Sequence, residues 1–167
     1  MSETDKVTAA SGATASQPGT VTFSNAKFGE VTIQSSSIVT FPDGVPGFER
    51  CRHFGLVSVD EEAPFLRLLS LDHPAVGFVI INPMMLWPDY NPQMGSDDLD
   101  GLQIRSADEL EIYCIVTLSE AAEKVTANLK GPLAINTRTM TARQLILMDE
   151  RYHTKHALLA AGEGRGL

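Results

Sequence analysis

The run LEIYCIVTL at positions 110–118 constrains the fold more than any other part of this chain. Leu110, Ile112, Cys114, Val116 and Leu118 alternate with Glu111, Tyr113, Ile115 and Thr117. That period of two belongs to a β-strand, since successive side chains on a strand point to opposite faces. The second face is itself half apolar, so the strand is expected to be covered on both sides. Runs of similar length recur as FGLVSV, FLRLLSL, GFVIIN, VTANLKG, LAINT and RQLILMD, separated by Pro, Gly, Asn and Asp. Near the front, VTF, EVTI and SIVTF read as three more short strands. Helical signals are few: a turn through SEAAE after Ser119, another through SDDLDGL, and a C-terminal helix from YHTKHALLAA. The expectation is a mainly β protein, a small antiparallel β-barrel with few short helices. Closing a barrel removes the exposed edges that an open sheet of short strands would leave.

The chain divides into a head at 1–19, rich in Ser, Thr, Ala and Gly and expected to be flexible, a barrel domain at 20–156, and a tail at 157–167 that frays at its glycines. With 167 residues a single domain buries a sizeable core without staples. Thirteen basic against twenty-one acidic residues give a formal charge of −8. Such a balance weighs against nucleic acid and anionic membranes, which attract Lys/Arg clusters, and suits a basic partner. Cys51 and Cys114 form no disulfide framework and no CxxC pair, and Cys114 reads as a small core residue. No secretory leader or membrane-length apolar run is present, so a cytoplasmic protein is expected. No phosphate-cradling glycine loop, nucleophile elbow or metal-ligand spacing appears. His153 and His156 read as an exposed face, and neither catalysis, cofactor nor metal is expected.

Three stretches carry the functional reading. FPDGVPGFE at 41–49 packs two prolines, two glycines and two phenylalanines into nine residues. Its prolines fix φ, and Pro46-Gly47 suits the centre of a type II turn. The result is a stiff loop in which Phe41, Gly44, Pro46, Gly47, Phe48 and Glu49 are candidate protein-binding residues. Either ring could instead plug the end of the barrel. The second stretch, 77–102, follows a buried strand with two methionines, the single tryptophan and more prolines. It offers Trp87 and Tyr90 as contacts, and Asp97, Asp98 and Asp100 as an acidic patch able to steer a cationic partner. A long crossover and a solvated loop are the structural readings of the same residues. The third, TANLKGPLAIN, is strand, break and strand. Gly131-Pro132 interrupts the ladder, and Asn128 and Asn136 can bond the backbone groups left free there. Asn128 completes the candidate contact set.

At these residues the chain resembles the flagellar assembly factor (FliW) family of bacteria. The matching features are the Phe-x-x-Gly-Val-Pro-Gly-Phe-Glu stretch at 41–49, PFLRLLSLD, GFVIINP, Pro88-Asp89-Tyr90, NLKGPLAIN and RQLILMDERY, collinear over 22–152. Asn82 stands where the family commonly has aspartate, Gly131 where alanine is common, and the head is longer than usual. The resemblance implies a β-barrel that works by binding. Its partners would be newly made flagellin and the RNA-binding translational repressor CsrA, exchanged in competition so that flagellin accumulating in the cell frees the repressor and flagellin translation is controlled. The acidic balance gives the expectation of no direct nucleic-acid or membrane contact, and a free monomer is the accompanying expectation. The alternative is a barrel enzyme or small-ligand binder with its site at the mouth near Trp87 and Tyr90.

Overall fold

The structure, a computed structural model, describes residues 7, 8 and 19–159. Its strands are β1 (Val7–Thr8), β2 (Thr20–Asn25), β3 (Gly29–Gln34), β4 (Ile38–Thr40), β5 (His53–Val59), β6 (Leu66–Ser70), β7 (Gly77–Ile81), β8 (Leu110–Thr117), β9 (Thr126–Ala127), β10 (Leu133–Asn136), β11 (Thr141–Gln144) and β12 (His156–Ala157). Among the described residues, a short helix, α1 (Ser96–Gly101), is accompanied by single 3-10 turns, and residues 158–159 are helical. Apart from residues 7, 8 and 19, the head lies outside the described residues, as does the tail beyond 159.

The expected barrel is present, closed by seven strands in the cyclic order β4-β5-β6-β7-β8-β10-β11. An odd ring cannot alternate direction all the way round, so one neighbouring pair must be parallel. That pair is β11 and β4, joined at a single register position, Thr141 opposite Thr40. The seam is short for a chemical reason. Thr40 N–H donates to the Met140 carbonyl at 2.9 Å, but Pro42, two residues on, has no N–H with which to continue the ladder.

The double-sided apolar pattern follows from the layers. Inward faces form one cluster in which Val39, Phe54, Leu68, Ile80, Leu133 and Ile135 are fully buried, so side chains fill the barrel. Outside β7, β8 and β10 a second cluster joins Ile81, Cys114, Val116 and Ala134 to Tyr90, Leu102, Leu145 and Leu147 of the surrounding segments. Outside β5 and β6, the β2–β3 hairpin lays Phe23, Val31 and Ile33 on Val57, Val59 and Leu69. That hairpin is a separate two-stranded sheet, although its sequence reads like the barrel strands.

Several local expectations are corrected. The C-terminal helix does not begin at Tyr152: His156 and Ala157 form β12, paired with Ala127 and Thr126 of β9. Satisfying the open side of β9 outweighs the weak helical preference of that segment. VTANLKG gives only the two-residue β9, and the turn in SEAAE is a 3-10 turn at Ala122–Lys124. RQLILMD is strand only to Gln144. The expected SDDLDGL helix forms as α1, with Asp97 and Asp98 in its first turn where the helix dipole favours acids. Cys51 and Cys114 are free, buried thiols in different clusters, and burial pushes Cys114 up to about 12.

Candidate functional site

β4, β6, β8 and β11 all finish at the same end of the barrel, and the loop 41–52 closes it. Three backbone hydrogen bonds fold that loop into successive turns: Gly44 N–H to Phe41 O, Phe48 N–H to Val45 O, and Cys51 N–H to Phe48 O, at 2.9, 2.6 and 2.9 Å. Gly47 has φ +89°, the value required at the third position of the expected Pro46-Gly47 type II turn. Gly44 has φ +72°, and a Cβ there would lie 2.6 Å from the Glu49 backbone. Only glycine lets the loop fold back on itself this tightly.

The two phenylalanines take different roles. Phe41 is fully buried in the barrel with Val45 and Cys51, so it plugs the end and is no surface contact. Phe48 is 41% exposed, held edge-on to Phe78 at 5.3 Å between ring centroids. Phe78, Phe54 and Phe41 continue this row of rings into the core. The surface ring therefore stands on a rigid base. Beside it, the Gly47 N–H donates to Glu49 Oε2 at 3.0 Å and holds the Glu49 carboxyl below the usual range.

Arg143 of β11 gathers residues that are distant in sequence. Its guanidinium lies 3.7 Å from Asp43 in the loop and 3.6 Å from Asp98 on α1. Next to it, Gln144 donates to the Gly131 carbonyl at 2.8 Å, and Asn128 Oδ1 accepts the Gly131 and Lys130 N–H groups at 2.8 and 3.1 Å. Asn128 thus does the corner work expected of it. Asp43, Gly44, Pro46, Glu49, Arg143 and Gln144 line a shallow open depression of about 130 Å³. Small-molecule pockets span roughly 300–1,000 Å³, so this is a feature of a surface and not a ligand cavity. The loop, the start of the acidic helix and the Asn128 corner are brought together. Asp97 and Asp100 lie exposed on α1.

Trp87 and Tyr90 stand apart from this cluster. Trp87 is half-buried, edge-on to His156 at 6.0 Å. Tyr90 is buried, its hydroxyl donating to Leu129 O at 2.7 Å, and burial beside the Cys114 thiol raises its phenol. It anchors the crossover to the sheet and is corrected from a surface contact to a structural one. Met84 and Met85, on the turn capped by Asn82, remain exposed. Among the described residues no group of His, Cys, Asp and Glu is placed to hold a metal, and no helix is long and apolar enough to cross a membrane.

Sequence reasoning missed two features. Arg143 was one base in a strand-like run, and nothing local reveals that it meets acids from two other segments. Ile146 and Met148 are 66% and 86% exposed, directly after the last barrel strand. Their alternation with Leu145 and Leu147 signals an extended segment with one bare face, a pattern easily absorbed into a buried strand.

Comparison with known proteins agrees with this architecture. The sequence model of the FliW protein family matches residues 22–158. The flagellar assembly factor FliW of Alkaliphilus metalliredigens is 39% identical over 133 residues, covering 79% of this chain and 82% of that one. That of Bacillus pumilus is 36% identical over 133 residues, covering 80% and 92%. A crystal structure of the flagellar assembly factor FliW superposes with a TM-score of 0.75 at 34% identity, over 82% of this chain and 96% of that one.

Proposed function

Because the chain belongs to the FliW family of flagellar assembly factors, we propose that it acts by binding, holding newly made flagellin and the translational repressor CsrA in turn. In this reading free repressor is captured until flagellin accumulates in the cytoplasm. Flagellin then occupies the assembly factor, and the released repressor shuts down flagellin translation. The two affinities are linked by competition, so each partner weakens the other by the same factor.

The observation that carries the reading is the stiff loop that keeps Phe48 half out of the protein beside an ionised Glu49. A surface aromatic already ordered by its own turns loses little entropy when a partner covers it. Asp43 and Asp98 flank Arg143, Glu49 lines the same depression, and the chain carries a net −8, which suits a cationic partner such as an RNA-binding protein. The filled barrel supports binding at the surface over a ligand taken into the mouth.

Pull-down with purified flagellin and repressor from the same cell tests the reading. Both should be retained by the intact protein. Retention of neither, with the barrel shown to be folded, sinks it.

A further inference from the structure

From Gln144 onward the chain leaves the barrel but stays extended. Leu145 N–H donates to Pro132 O and Leu147 N–H to Lys130 O, both at 2.8 Å. Pro132 has no N–H to return and the Lys130 N–H goes to His153 O, so the return bond comes from the Lys130 side chain, whose Nζ donates to Leu147 O at 2.9 Å. In such a ladder alternate residues turn their N–H and C=O groups the opposite way. Those of Ile146 and Met148 therefore face away from 130–132, and neither N–H has a hydrogen-bond partner among the described residues. On that side the only barrel neighbour would be β4, and Pro42 ends the β4 pairing at Thr40. The outcome is a free strand edge, Gln144–Met148, of sequence QLILM.

Exposed edges are usually blunted by charges, prolines or bulges, because they pair with other chains. This one has no such guard within its five residues and leaves Ile146 and Met148 bare. Leu145 and Leu147 are packed into the outer core, so the edge is anchored and ordered before any partner arrives. At its start lies the depression between Gln144 and the 43–49 loop, with Asp43 and Glu49 on its rim and Arg143 paired to Asp43 and Asp98, so that three acids against one base leave it net negative.

We infer that Gln144–Met148 is a strand-addition site for an extended segment of a partner protein, one with apolar residues at alternate positions and a Lys or Arg near the end that meets Asp43 and Glu49. The backbone edge supplies two-sided hydrogen bonding that does not depend on sequence, and Ile146 and Met148 select the apolar side chains between those bonds. The rim selects charge. A second copy of this chain is disfavoured as the occupant, since each copy brings the same acidic rim and a net −8. The inference says how a partner of the kind proposed above is held and to that extent rests on that reading.

The test uses the full chain and a phage-displayed library of random twelve-residue peptides. Selected peptides should share alternating apolar residues with a flanking Lys or Arg. Bound peptide should slow amide exchange at Ile146 and Met148 at least tenfold. Ile146→Pro removes one free N–H without touching the bonds of Leu145 or Leu147, and should weaken the selected peptides at least tenfold while melting is unchanged. Met148→Glu should weaken them as well. Peptides without the alternation, no enrichment, unprotected amides, or affinity within twofold for a folded Ile146→Pro protein would each overturn the inference. If Ile146→Pro does not fold, exchange on the unmodified chain decides. A dimer of the free protein that Ile146→Pro dissolves assigns the edge to a second copy and also overturns it. Failure of flagellin and CsrA to bind, with the peptide result intact, would sink the proposed function and leave this site standing.

Discussion

Truncating Phe41 and Phe48 separately to alanine tests the division of labour within the loop. Phe41 is fully buried and meets Phe54 edge-on at 5.4 Å, so Phe41→Ala opens a cavity at the barrel end. Such truncations cost about 3–5 kcal/mol. Phe48 is 41% exposed, which halves its burial term, and it forfeits one edge-on ring pair with Phe78. Half of a side-chain transfer energy plus one aromatic pair comes to about 1.3–3 kcal/mol. With a urea m-value of about 2 kcal/mol/M, the unfolding midpoint should fall by about 1.5–2.5 M for Phe41→Ala and by about 0.6–1.5 M for Phe48→Ala. Binding should reverse that order. Measured by calorimetry on folded protein, Phe48→Ala should lose about tenfold or more in affinity for at least one partner, equivalent to about 1.4 kcal/mol. Equal midpoint shifts would mean that both rings serve the core. A small midpoint shift with unaltered binding of both partners would refute the role given to the exposed ring.

Two glycines make a contrasting pair. Gly44→Ala forces a Cβ to within 2.6 Å of the Glu49 backbone at φ +72° and should destabilise by about 2–4 kcal/mol, read from the denaturation midpoint. Gly131→Ala meets the side chains of Gln144 and Asn128, at 2.9 and 3.1 Å, which can shift only by lengthening their bonds to the Gly131 and Lys130 backbone, so its cost should be about 1–2 kcal/mol, below that of Gly44→Ala. Reversing Asp97, Asp98 and Asp100 to lysine together should slow association with the repressor at low salt, with the difference shrinking at high salt; a salt-independent on-rate removes that patch from the account. Acid should destabilise the protein in a defined window. The Arg67 hydrogen bonds at 2.8 and 2.9 Å lower the Glu62 carboxyl, and Arg151 draws Asp149 down to about 2. Carboxyls with depressed folded values stabilise above the unfolded value near 4 and lose that contribution as pH falls through the folded value. Urea midpoints should therefore hold from pH 7 to 5 and fall between about pH 4 and 2; a rise across that interval contradicts the assignment.

How far the sequence reaches is seen best along single elements. In the run 110–118 the alternation is strong because the strand is covered by the barrel on one face and by the outer cluster on the other, so both faces leave a mark. The Pro46-Gly47 turn is legible because its geometry is set by the residues themselves. Burial of individual aromatics is not: Phe41 and Phe48 sit in the same motif, and only the direction in which the loop folds back separates them. Tyr90 likewise looks like a surface aromatic among prolines until its hydroxyl is seen on Leu129 O. β12 forms because β9 needs a partner, a demand that is invisible locally. The free edge at Ile146 and Met148 depends on Pro42, which lies about a hundred residues away in sequence and ends the β4 pairing that would otherwise cover it.

Partner exchange is tested most directly by adding flagellin to a preformed complex of this protein with the repressor and following the mass of each species in solution. The account predicts that repressor leaves as flagellin binds, with a midpoint that moves to higher flagellin as repressor is raised. A stable assembly holding both partners at once, with neither affinity altered by the other, would contradict it.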